Sequence, residues 1–234
     1  LEIARLSNSG GKRMRSRLVL QGYRAFGGKD TESILPAAAA MELLHQGMLM
    51  HDDIIDRDYI RYGVDNIAGR YNEAYKHLVT DSANRMHYAH SAALLAGDLM
   101  LSESYILMAE SRVSAEKIIA IQKLLNRSVF EVIGGELLDT EASFRKNGLI
   151  SPEDVAVYKT ASYSFALPLL VGAELAGASE INQAYIRDFA RNLGIAYQLR
   201  DDIIGVFGNE SKSGKSSSND IREGKYTYMV KQFC

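Results

Sequence analysis

The chain has a single cysteine, Cys234, at its last position, so no disulfide can close within it. That suits a reducing compartment, and the cytoplasm is the expected location. Tryptophan is absent and proline occurs only three times, so few positions break a helix outright. No sign of charge dominates. Lys and Arg number 27 against 29 Asp and Glu, a formal net charge of −2. Bulk charge therefore points to no nucleic acid and no acidic membrane surface as partner. Long hydrophobic runs are missing too. The longest, Phe165 to Gly177, contains Glu174 and is too short for a bilayer, so no integral membrane segment is expected. No signal peptide is visible, although a start at Leu1 leaves room for a lost N-terminus. Alternating strand patterns of useful length, domain linkers and solenoid repeats are also lacking.

What is there reads as helix. With 234 residues, 47% hydrophobic and 24% charged, the chain suits one globular domain with a substantial core, residues 1–234. Helical patterns run over Gly11 to Phe26, Thr31 to Tyr62, Asn66 to Val79, Ser82 to Ser111 and Ser114 to Ser143. Ser151-Pro152-Glu153-Asp154 is a clear helix start, with an N-cap serine and proline in the first turn. That helix is predicted to end at Gly177 with a kink near Pro168. A further helix covers Ser179 to Phe207, then a polar loop Asn209 to Asn219, then a helix from Ile221. The predicted class is all-α: a single-domain bundle of long helices around one core.

The stretch Met41 to Gly63, MELLHQGMLMHDDIIDRDYIRYG, organises the chain. Leu44, Met48, Ile55 and Tyr59 can share a broad apolar face at helical spacing. Asp52 and Asp56 are four apart and stack one turn above each other, while Asp53 is swung about 100° away. Stacked carboxylates repel by a few tenths of a kcal/mol, and a divalent cation is the usual remedy. Mg²⁺ takes oxygen ligands and typically bridges carboxylates to substrate phosphates. One such pentad could be a solvated acidic stripe. A second copy, Asp201-Asp202-Ile203-Ile204 in YQLRDDIIGVFG, is hard to explain that way.

Basic residues trail the acidic ones. Lys12, Arg13, Arg15 and Arg17 follow Gly10-Gly11 at a helix start, where cations oppose the dipole unless an anion binds. A solvated arm or a nucleic-acid contact is the other reading of that stretch. Arg61 follows the first pentad, and Lys215 and Lys225 follow the second. Lys159-Thr160 lies mid-helix. His45 sits two turns before Asp52 and could donate to a phosphate or be a core histidine. Carboxylates with many cations suit a metal held together with a polyphosphate, and the apolar residues beneath suit a hydrocarbon tail. No Ser-His-Asp set, Cys-His pair or Gly-rich nucleotide motif is visible, which favours ionisation of a C–O bond.

In GGKRMR, HxxxxxHDDIID, the following RYG, the YKT element and QLRDDIIGVFG with its GK and EGKYT tail, the sequence resembles the trans-isoprenyl (polyprenyl) diphosphate synthases. The resemblance covers nearly the whole chain. It implies an all-helical bundle of the isoprenoid synthase type around a central cavity, usually a homodimer. It also implies head-to-tail condensation of an allylic prenyl diphosphate with isopentenyl diphosphate, using about three Mg²⁺ per site. Transferred by position, Lys12, Arg15 and His45 would hold isopentenyl diphosphate. Asp52 and Asp56 would ligate two Mg²⁺ and Asp201 the third, with Asp53 and Asp202 acting from behind them. Arg61, Lys159 and Lys215 would contact the allylic diphosphate, and Lys225 falls in the same binding set. Thr160 and Gln198 would turn oxygen dipoles toward the developing carbocation.

The resemblance has departures. The family usually carries Arg-Arg-Gly where this chain has Arg61-Tyr62-Gly63, and an Asp where it has Gly205. More helix is expected at both ends, as if the sequence were truncated. A non-catalytic partner subunit of a heteromeric synthase is the alternative, and a terpene cyclase a lesser one. Leu44, Gly47 and Met48 lie below Asp52 on the expected tail channel, where one helical turn of about 5.4 Å matches one isoprene unit. Gly47 has no side chain and Met48 bends aside, so the expected product exceeds C15, with C20 (geranylgeranyl diphosphate) or longer anticipated.

Overall fold

The computed structural model describes residues 2–144 and 150–207. Apart from one two-residue hairpin and a short 3-10 turn, its regular elements are helices, as the absence of strand patterns predicts. Two compact units interleave along the chain. The first comprises Leu1–Ser16 and Leu35–Ser111, the second Arg17–Ile34 and Arg112–Cys234.

In the first unit, α1 (Glu2–Asn8) precedes α2 (Met14–Ala25), whose opening turn belongs here. Next come α3 (Leu35–Ile55), strands β1 (Ile60–Arg61) and β2 (Val64–Asp65), α4 (Ile67–Ala74) and α5 (Ser82–Ala109). Helices α3 and α5 form the main packing pair. Leu6, Met50, Ile67, Ala68, Ala89, Ala93 and Met100 build one continuous core. Asn66 caps α4 by accepting from the Gly69 N–H, and Asp81 caps α5 by accepting from the Asn84 N–H at 2.8 Å. By length and composition α5 could cross a membrane; 28% of that apolar stretch is buried, and Ala89, Ala93 and Met100 belong to the core of this unit.

The organising helix ends sooner than the periodicity predicts. It stops at Ile55 rather than Tyr62, because Arg57 adopts a left-handed conformation with φ 57°. Beyond it Tyr62 and Gly63, at φ 54° and 76°, form the two-residue turn joining β1 to β2. Positive φ at both central residues is the hairpin geometry that matches strand twist. Leu44 is buried as expected, but Ile55 is 44% exposed and Tyr59 lies outside the helix, so the broad apolar face shrinks.

The second unit holds the rest of α2, the 3-10 turn Glu32–Ile34, α6 (Ala115–Phe144), α7 (Pro152–Val155), α8 (Leu167–Ala176) and α9 (Glu180–Phe207). Val19, Ile121, Leu125, Phe165, Val171, Leu175 and Ala190 are among its buried apolar residues. Ser151 caps α7 and Gly177, at φ 85°, terminates α8, both at the predicted places. Just before Pro168, near which a kink was predicted, the whole of Ala156–Ala166 is wound as a π-helix, which leads directly into α8. The expected loop from Asn209 and the helix from Ile221 lie outside the described residues.

Candidate active site

In the first unit the acidic group occupies the end of α3. The Asp56 N–H donates to the Asp52 carbonyl at 2.8 Å, so the turn continues through Asp56 and keeps the two carboxylates one turn apart. The hairpin then brings Arg61 back over them. Its Nε donates to Asp53 Oδ1 at 2.7 Å, and its Nη2 to the same oxygen and to Asp52 Oδ2 at 3.2 Å. Asp53 is only 3% exposed. Burial pushes its carboxyl up to about 6, against the pull of Arg61 and Asn66. Burial works to lower the Arg61 value as well, and the Asp53 bond with the Asp53 and Asp52 charges more than reverses it.

A cationic cluster lies around His45. Burial first, then the charges of Arg15, Arg61 and Arg13, hold this imidazole well below its ordinary value. At neutral pH it is therefore uncharged, with one N–H to donate. Arg15 is 9% exposed and Lys12 is exposed. Not all the α2 amides stand open, as a pure anion site would have them. The Ser16 N–H already donates to Glu42 Oε1 at 2.8 Å. Tyr62, where the family resemblance leads one to expect a second arginine, lies with its ring against the glycine turn. A Cβ added to Gly10 would sit 2.8 Å from Tyr62 Cγ.

The tail-channel residues separate. Leu44 is 1% exposed and Met48 is half-buried. Gly47 differs from the open position expected of it. A Cβ there would lie 2.9 Å from the Gly97 carbonyl oxygen and 3.2 Å from Met100 Cβ. It is the contact glycine of the α3–α5 pair, and a phenylalanine would meet backbone rather than fill a channel. His51 turns toward α5, with Nε2 at 3.2 Å from the Leu94 carbonyl and 3.3 Å from Asp98.

In the second unit the site is built on the π-helix. Its backbone is gripped on two sides. A Cβ on Gly135 of α6 would lie 2.3 Å from the Lys159 N, and one on Gly194 of α9 would lie 2.5 Å from the Ala161 Cα. Only glycine permits such approach. Long π stretches are rare and tend to occur at functional sites. Lys159 Nζ is 2.9 Å from Glu136 Oε2 and 2.6 Å from Asp139 Oδ2. Thr160 Oγ1 donates to Gln198 Oε1 at 2.9 Å, and Gln198 Nε2 donates to Asp202 Oδ1 at 3.0 Å. Asp202 is 4% exposed while Asp201 is exposed. Sequence reading missed Glu136 and Asp139. Their spacing of three after Gly134-Gly135 puts them on one face of α6, and that was the available signal. Lys215 and Lys225 lie outside the described residues. A separate apolar groove of about 310 Å³, between α2, α8 and α9, is lined by Phe26, Leu169, Tyr185 and Phe189 and by none of these residues.

Among the described residues no three His, Cys, Asp or Glu side chains form a closed metal cluster. Mg²⁺ commonly takes one or two carboxylates and completes its shell with water and substrate phosphates. A pair of hard oxygen donors one turn apart, such as Asp52 and Asp56, therefore fits Mg²⁺.

The comparisons with known proteins agree on one group. The family model described as "Polyprenyl synthetase" matches residues 2–234. The geranylgeranyl diphosphate synthase of Sulfolobus acidocaldarius is 34% identical over 229 residues, covering 96% of this chain and 63% of that protein. The farnesyl diphosphate synthase of Bacillus subtilis is 33% identical over 227 residues, covering 94% of this chain and 70% of that protein. A crystal structure of geranylgeranyl pyrophosphate synthase from Corynebacterium glutamicum, complexed with isoprenyl diphosphate and magnesium, superposes with a TM-score of 0.87 at 34% identity. It covers 97% of this chain and 65% of that one. The chain thus spans less than two thirds of the length of the archaeal synthase it matches.

Proposed function

Because the chain belongs to the polyprenyl synthetase family, we propose that it catalyses Mg²⁺-dependent head-to-tail condensation of isopentenyl diphosphate with an allylic prenyl diphosphate. The observation that carries this reading is the convergence on the end of α3. There Asp52 lies beside Arg61, and the charges of Arg13, Arg15 and Arg61 bear on a neutral His45. Such a constellation suits a metal-bound diphosphate better than a bare metal or a bare anion.

Asp52, Asp56 and Asp201 would hold Mg²⁺, about three ions per site. The chemistry Mg²⁺ supplies is Lewis-acid assistance to the departure of diphosphate. Lys12, Arg15 and His45 bind isopentenyl diphosphate, and His45 donates a neutral N–H. Arg61, Lys159, Lys215 and Lys225 bind the diphosphate groups and stabilise the charge that develops as the C–O bond breaks. Arg61 and Lys159 arrive already oriented, one by Asp53 and the other by Glu136 and Asp139. Thr160 and Gln198 place oxygen dipoles on the allylic cation.

The product is proposed to exceed C15, with C20 expected, because Met48 can bend aside above the buried Leu44. A cytoplasmic homodimer is part of the same proposal. Exposed Leu95, Leu99 and Ile106 on α5 offer an apolar stripe for a second copy. Residues 1–234 are taken as belonging to one synthase domain, since the family match runs through both units. The test is incubation of the purified protein with labelled isopentenyl diphosphate and each short allylic primer, with and without Mg²⁺. A linear product longer than C15, made only with Mg²⁺, is expected. No product with any primer favours the partner-subunit reading, and a cyclic hydrocarbon the cyclase reading.

A further inference from the structure

The proposed chemistry uses Thr160 and Gln198 but leaves open how their oxygens come to face the cation. The geometry points to Asp202: we propose that Asp202 is a positioning residue that fixes the orientation of the Thr160 hydroxyl through Gln198. The inference rests on the synthase reading above.

A carboxylate can only accept hydrogen bonds, so Asp202 obliges Gln198 to turn its NH₂ toward it. The other end of that amide, Oε1, then faces Thr160 and can only accept. Thr160 must spend its single hydroxyl proton on Gln198, which leaves its own lone pairs for a developing positive charge. A flipped amide would invert this. Thr160 would accept from Gln198, and its proton would be free to point at the cation, turning a stabilising dipole into a repelling one. The spacing of four residues on α9 puts Gln198 and Asp202 on the same face. Burial of Asp202 to 4% exposure excludes competing water from the link. The π-helix held between Gly135 and Gly194 keeps Thr160 in register with it.

The experiment compares wild type, Asp202→Asn, Gln198→Glu and the double swap of both. Asp202→Asn preserves shape but replaces an acceptor-only group with one that can also donate, so Gln198 is no longer obliged to face it with its NH₂. It should lower kcat about tenfold or more, while KM for both diphosphates and the Mg²⁺ requirement stay within about twofold. Gln198→Glu alone sets two carboxylates together and should also lose activity. The double swap restores the pattern with the same total charge. The asparagine then at position 202 donates, and the glutamate at position 198 accepts from both sides, Thr160 included, so most of kcat should return. An unchanged kcat in Asp202→Asn overturns the proposal. So does a raised Mg²⁺ requirement that the swap does not correct, which would make Asp202 a metal ligand. The Gln198 side-chain amide, followed by NMR without ligands, reads the link independently of turnover. Its protons should exchange slowly in wild type and lose protection in Asp202→Ala, which removes the acceptor altogether. Unchanged protection overturns the proposal even in an active protein. A wild type that makes no product but shows this loss fails the synthase reading alone.

Discussion

The two Asp-Asp-Ile-Ile segments are the same in sequence and differ in the path the chain takes after them. The first closes α3, and a left-handed Arg57 then turns the chain into a hairpin that returns Arg61 to the aspartates. The second lies inside α9, which continues to Phe207. In both, the second aspartate is buried, Asp53 at 3% and Asp202 at 4% exposure, while the first is more accessible. Each buried carboxylate orients one polar side chain: Asp53 holds Arg61, and Asp202 holds Gln198. The segments thus share a division of labour. In the proposed reading the leading aspartate would face ligand, and the second would set the side chain that works beside it.

The largest way to break that comparison is to remove a leading aspartate. Asp52→Ala or Asp201→Ala should abolish nearly all turnover with the fold intact, as circular dichroism and Tm would report. Retention of more than about a tenth of wild-type activity, under about 1.4 kcal/mol in barrier, would sink the metal assignment.

Next come the glycines that grip the π-helix. Gly135→Ala should cost about 1–3 kcal/mol in stability, because its Cβ would strike the Lys159 backbone. Gly134→Ala, one residue earlier, meets nothing within 4 Å and should stabilise α6 by about 0.5–1 kcal/mol. Chemical denaturation of the two variants checks the contrast, and similar shifts for both would remove the grip from the account.

A smaller effect is expected at Asp53. Burial pushes its carboxyl up to about 6, so ionised Asp53 costs the fold stability at neutral pH, and that cost offsets most of what its bond to Arg61 contributes. The amide oxygen of Asp53→Asn can still accept from Arg61, which also keeps Asp52, so the variant should change stability at neutral pH by less than about 1 kcal/mol. It should also flatten the fall in stability that wild type shows as pH rises from the ordinary carboxyl value of 3.8 to about 6. Denaturant midpoints across that range would show it, and an unchanged slope would mean that burial does not hold the Asp53 carboxyl up.

The smallest effect is a silence. His45 is held below its ordinary value of 6.5, so its ring should show no NMR titration midpoint between pH 6.5 and 7.5 in the ligand-free protein. The sign follows from the direction. A depressed folded value means that the stability His45 contributes is present above the ordinary value and is lost as pH falls below it. A midpoint at or above 6.5 would contradict the burial and the cationic surroundings assigned to it.

Much of this was legible in the sequence. Helical periodicity located α5, α6 and α9 to within a few residues, because their ends carry ordinary cap and turn residues. The early end of α3 was not legible. Asp-Arg-Asp-Tyr-Ile-Arg contains no glycine or proline, and the break depends on Arg57 adopting a conformation that costs a non-glycine residue energy. The close approach of the π-helix to glycines on two other helices, at positions 135 and 194, is a tertiary contact that no local pattern announces. Pro168 drew attention as the obvious breaker; it sits where the π-helix passes into α8 without a break, so its missing N–H falls at the change of winding. The acidic pentads could be recognised from spacing, and the family resemblance set Asp53 and Asp202 behind the leading aspartates, but their burial and the side chains they hold required the tertiary structure.

The most direct test of that division is one series of Asp→Asn variants at positions 52, 53, 201 and 202. The quantity to measure is the Mg²⁺ concentration giving half-maximal condensation, with both diphosphates saturating. Asp52→Asn and Asp201→Asn should raise it by about an order of magnitude or more, the loss of one charged ligand. Asp53→Asn and Asp202→Asn should leave it within about twofold of wild type while lowering kcat. Equal shifts at all four positions, or a larger shift at 53 and 202 than at 52 and 201, would contradict the account.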